Sequence, residues 1–104
     1  MTDTASLLTT TARVPLSAPR RYLGQLCKHF AHKITATWAE DYSTGRIEFG
    51  MGRCDLVADE EAGVLVMTAT AANEEDLTRL EGVVARHLER FAFREPLTVT
   101  WTRA

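Results

Sequence analysis

The chain has 104 residues, 45% of them hydrophobic and 25% charged. Those proportions describe one soluble globular domain, long enough to bury a core without metal or disulfide staples. A net charge of −2 argues against a general nucleic-acid binder, and no apolar run approaches the roughly 20 residues of a membrane helix.

Met1 to Ser6 has no basic region, and Leu7-Leu8 is too short for a signal peptide. A cytoplasmic location is therefore expected, with Cys27 and Cys54 as reduced thiols, and neither membrane nor nucleic acid as partner. Residues 1–11, rich in Thr and Ser, read as a flexible tail before a single domain at 12–104. Arg13 to Leu16 reads as a short edge strand, because Pro15 cannot donate within a central ladder. Ser17 is placed to cap a helix over 18–32, with Pro19 in its first turn. Tyr22, Leu23, Leu26, Cys27 and Phe30 recur at helical spacing and define its buried face.

Ile34, Ala36 and Trp38 alternate with threonines, the period of a half-buried strand. Tyr42 to Gly45 reads as a turn, and Ile47 and Phe49 continue the alternation. The apolar parity then switches to Cys54, Leu56 and Ala58, so Gly50-Met51-Gly52 marks a bulge, tight bend or hairpin turn. Val64 to Ala69 is apolar on both faces, as in a central strand. Asn73 followed by three acids starts a second helix over 73–92, with Leu77, Leu80, Val84, Leu88 and Phe91 as its stripe. Leu97, Val99 and Trp101 alternate in a last strand.

Two helices cannot cover both faces of such a sheet. The expected fold is an α+β two-layer sandwich, a ferredoxin-like variant with a mostly antiparallel sheet of about five strands and both helices on one face. Cys27, Phe30, Phe49, Cys54, Leu56, Val84, Leu88 and Trp101 should share one core. Val64 to Met67 would leave apolar side chains on the uncovered face, where two copies could pair.

No acidic residue lies between Asp3 and Glu40, a stretch that holds Arg13, Arg20, Arg21, Lys28 and Lys33. Within it, Arg21, Gln25, Lys28, His29 and His32 recur on the outer side of the first helix as a cationic stripe, a candidate docking face for an acidic partner or small anion. A plain solvated helix face is the alternative.

Cys27, His29, His32, Cys54 and His87 are the candidate metal ligands, since thiolate and imidazole suit Zn or Fe. Their spacing is poor. There is no C-x-x-C, and Cys27 and His32 would project about 140° apart on a regular helix. No metal or cofactor is expected on these grounds, and both cysteines read as buried structural thiols rather than nucleophiles. Arg46, Glu48, Arg53 and Asp55 read as a solvated cross-strand charge ladder. No isolated carboxylate pair offers acid–base chemistry, and the lone glycine pair is no phosphate loop.

The phrases CKHFAHK, GRIEFGMGRCDL and ARHLERFAFRE…LTVTW resemble a bacterial family known as domain of unknown function 2218, over roughly residues 12–103. Some members of that family resemble stand-alone domains like this one, and others are joined to, or neighbour, siderophore-interacting flavoproteins. The resemblance therefore implies an iron-linked role and such a flavoprotein as partner, without carrying over any active-site residue. The chain reads as a binding or accessory domain rather than an enzyme. The alternative is a metal-binding protein or enzyme using the Cys/His set.

Overall fold

The structure, a computed structural model, describes residues 7–104. Its elements are β1 (Leu8–Pro15), α1 (Pro19–Phe30), β2 (Ala36–Trp38), β3 (Thr44–Phe49), β4 (Gly52–Asp59), β5 (Val64–Ala71), α2 (Glu74–Phe91) and β6 (Trp101–Arg103). All neighbouring strands pair antiparallel in one open sheet of order β2-β3-β4-β5-β1-β6. Both helices pack on the same face, giving the expected two-layer α+β sandwich with six strands.

Register explains which side chains meet. One row of paired residues, Trp38, Gly45, Leu56, Met67, Ala12 and Trp101, crosses all six strands beneath the helices. Leu23, Leu26 and Cys27 from α1 and Leu77, Leu80, Val84 and Leu88 from α2 close over it, all fully buried. Each such leucine contributes roughly 1.5–3 kcal/mol of burial. Phe30, Phe49 and Trp101 are only partly buried against this core.

The next row, Thr37, Arg46, Asp55, Thr68, Thr11 and Thr102, points to the opposite, uncovered face. Arg46 Nε and Arg53 Nε donate to the Asp55 carboxylate at 2.6 and 3.1 Å, so the charge ladder forms around Asp55, while Glu48 lies opposite Arg53 in register without an ion pair among the described residues. Strand period two sends Leu65 and Met67 into the core. Among the described strand residues the uncovered face therefore holds Val57, Val64 and Val66 as its large apolar groups, amid threonines and charges, and it is less apolar than the sequence suggested.

Several boundaries differ from expectation. β1 starts at Leu8 and pairs with β5 from Leu8↔Ala71 to Pro15↔Val64, so residues 8–11 belong to the sheet rather than to a tail. The rest of that tail, residues 1–6, lies outside the described residues. β1 is also not an edge strand: β6 pairs with it at Thr10 to Ala12. Pro15 is tolerated because β6 does not reach it, leaving its missing donor on an open side. Conversely, the last strand is only Trp101–Arg103, with Leu97 and Val99 packing on the core without ladder bonds.

Ser17 does not cap α1. The N-cap is Ala18, and the carboxylate of Glu60, in the β4–β5 turn, accepts the Arg20 N–H at 2.8 Å. Ser17 instead gives its N–H (3.0 Å) and its hydroxyl to Glu95, which also accepts from the Tyr22 hydroxyl at 3.0 Å. α2 starts as read, with Asn73 Oδ1 accepting the Asp76 N–H at 2.9 Å and three acids in its first turn. Gly50 and Met51 form a two-residue hairpin turn between the paired Phe49 and Gly52. Gly45 is a strand residue, not part of the turn.

Candidate functional site

Helical periodicity turns the polar side of α1 to solvent, and Arg21, Gln25 and Lys28 are all exposed there. The β2–β3 turn rises beside that face. With Arg20, Arg21, Gly24, Gln25 and Lys28, Tyr42 lines an open groove of about 400 Å³. Tyr42 is the one non-glycine among the described residues with positive φ, at 62°, a left-handed backbone costing on the order of 1–3 kcal/mol. That conformation lays its ring on the helix at Gly24, where a Cβ would come within 3.0 Å of Tyr42 Cδ1. Lys28 Nζ stands 4.7 Å from the ring centre, a cation–π contact.

A second cleft flanks the other side of Arg21 and Gln25, where Tyr22, Phe91, Phe93 and Arg94 complete the lining. Phe93 is 74% exposed, and the Arg94 guanidinium carbon lies 5.4 Å from its ring centre. Three arginines, a lysine and four aromatic rings thus share one surface. Among the described residues none of Arg20, Arg21, Lys28 and Arg94 makes an ion pair.

His29 and His32 leave this surface. His29 lies about 80° around the helix from Arg21, and its ring meets those of Phe30, His87 and Phe91 at 5.1, 5.1 and 5.4 Å between centroids. His32 is exposed beyond the end of α1, whose C-cap is Ala31. His87 Nδ1 is 2.7 Å from the Val83 carbonyl, so that nitrogen carries the proton and donates. The pKa of His29 is lowered, first by partial desolvation against its ring neighbours and then by the positive fields of His87, His32, Arg90 and Lys33.

The five candidate metal ligands therefore do not form one site. Cys27 and Cys54 are fully buried under the helices, and the three histidines sit at or beyond the C-terminal ends of α1 and α2. Among the described residues no three His, Cys, Asp or Glu side chains gather closely enough to hold a metal ion. Burial pushes the Cys27 thiol up to about 11, and it pushes Cys54 higher still, helped by Asp55 and Cys27. Neither is poised as a nucleophile at neutral pH.

Sequence reading found Arg21, Gln25 and Lys28 but missed Arg20, Tyr42, Phe93 and Arg94. Phe93 was legible in principle, since it falls off the apolar stripe that ends at Phe91. Tyr42 was not, because its place depends on a left-handed turn docking onto a distant helix.

No helix among the described residues is long and apolar enough to cross a membrane. No curated protein matches the chain. Among solved structures it is similar to the NMR structure of PA4090 from Pseudomonas aeruginosa, at 32% identity and a TM-score of 0.75, over 91% of this chain and 95% of that one. Residues 11–102 match the profile of a family described as "Uncharacterized protein conserved in bacteria (DUF2218)", and the chain belongs to that family.

Proposed function

We propose that this domain is a binding module that docks an acidic protein partner through the outer face of α1. The observation that carries the reading is the groove in which Arg20, Arg21 and Lys28 stand around Tyr42, beside exposed Phe93. Arginine with accessible aromatic rings is the composition enriched at the energetic centres of protein interfaces. An acidic partner supplies the carboxylates these unpaired cations lack, and the left-handed Tyr42 is the kind of strain that binding surfaces retain. A small anion would use the same cations but would leave Phe93 unused. The family resemblance directs the choice of partner toward a siderophore-interacting flavoprotein, in an iron-linked and non-catalytic role.

The test is titration of such a flavoprotein against wild type, Lys28→Glu and Phe93→Ala at low and physiological salt. Charge reversal and ring removal should each weaken binding at least tenfold, and wild-type binding should weaken with salt. Equal affinity of all three proteins at low salt would refute the docking face. Loss only in Lys28→Glu would reassign it to a small anion.

A further inference from the structure

We propose that His29 and His87 form a two-imidazole site for a divalent transition-metal ion, copper(II) or zinc(II), at the junction of α1 and α2. The two rings lie beside each other with centroids 5.1 Å apart and planes inclined at 49°. With metal–nitrogen bonds of about 2.0–2.1 Å, two imidazoles on one ion hold their ring centres roughly 5 Å apart. The distance between the ring centres therefore matches that of two imidazoles sharing one ion.

The second observation is the state of His87. Its Nδ1–H is committed to the Val83 carbonyl, which can only accept, so Nε2 keeps the lone pair a metal requires. A ligating histidine anchored through its other nitrogen by a backbone carbonyl is the usual outer-sphere arrangement of metal sites. The Phe30 ring, 4.7 Å from His87, and the Phe91 ring against His29 wall the pair on its inner side. His29 is exposed, so an ion has a route in.

The charges facing His29 shape the site further. His32 and Lys33 from the end of α1 and His87 and Arg90 from α2 make the surroundings positive. Such a field opposes any cation by charge, so an ion here would be held by nitrogen donation alone. With two protein ligands, the remaining positions are open to water or an external anion, which Lys33 and Arg90 would attract. The site is exchangeable rather than structural.

Isothermal titration of the untagged protein with copper(II) and with zinc(II) tests this, alongside the imidazole NMR signals of the wild type as copper(II) is added. One ion per chain should bind, and copper(II) should broaden the His29 and His87 signals first. His29→Gln and His87→Gln should each weaken binding at least tenfold, whereas His32→Gln should leave it within about twofold. Binding that weakens equally in His32→Gln would place the ion on the His29/His32 pair and overturn the proposal. So would broadening centred elsewhere in the wild type, an outcome that does not depend on any variant folding.

Discussion

Cys27 occupies the space that a side chain at position 45 would need. A Cβ on Gly45 would stand 2.7 Å from Cys27 Sγ and 3.2 Å from Leu23 Cδ2. The glycine lets α1 settle closely on β3, and the cysteine fills the remaining volume. Gly45→Ala should overpack this contact and cost about 1–3 kcal/mol. Combined with Cys27→Ala it should cost less than the two single changes added, by about 0.5–3 kcal/mol. A double-mutant cycle by urea unfolding measures this, and strict additivity would disprove the contact.

Thr10 lies fully buried on the helix-facing side of β1, and its hydroxyl finds no hydrogen-bond partner among the described residues. An unsatisfied buried hydroxyl costs about 1–3 kcal/mol, and valine keeps the shape and the strand preference. Thr10→Val should therefore stabilise the fold by about 1 kcal/mol or more. A lower midpoint in thermal unfolding would mean that the hydroxyl is satisfied.

The two free thiols should be silent in the native protein. A disulfide reagent at pH 8 should label neither over minutes and both after unfolding in guanidinium. Because Cys27 is raised from 9.0 to about 11, the unfolded chain ionises first, and stability should fall as pH climbs through that window. Rapid native labelling of either thiol would contradict the burial.

His29 predicts a trend on the acid side. The ordinary value for His29 is 6.5, and the folded protein holds it lower, first through partial desolvation and then through His87 and the neighbouring cations. The unfolded chain therefore takes up its proton first, and stability should decline as pH falls below 6.5, levelling off once the folded state is also protonated. His29→Gln should flatten this slope. Identical urea midpoints against pH for both proteins would remove His29 as its source.

Gly52 is the tightest steric point of the β3–β4 hairpin. A Cβ there would approach the Thr70 carbonyl oxygen to 2.3 Å and the Ala71 Cβ to 3.2 Å. Both neighbours include main chain or its immediate branch, which cannot swing aside. Gly52→Ala should cost more than about 2 kcal/mol, whereas Gly50→Ala, with nothing within 4 Å, should be tolerated. Comparable losses at the two positions would show that the glycines serve turn flexibility instead.

The sequence by itself determined the layers. Helical spacing at Leu23, Leu26 and Cys27 and at Leu77, Leu80, Val84 and Leu88 fixed two helices within a few residues of their observed ends. Alternation at Ile47 and at Cys54, Leu56 and Ala58 fixed which sheet face they cover, because period and burial are local consequences of backbone geometry. Tertiary structure decided what depended on partners distant in the chain. Residues 8–11 look like a polar tail until β5 offers a full ladder, and Ser17 looks like a cap until Glu60 takes the Arg20 N–H and Glu95 takes Ser17's own N–H and hydroxyl. The cationic stripe was legible as a helix face, yet only the docked Tyr42 turn made it a groove, and only the packing of α2 against α1 drew His29 away to His87. Periodicity reports which side of an element is buried; which side chains meet across elements is set by packing, which no local pattern encodes.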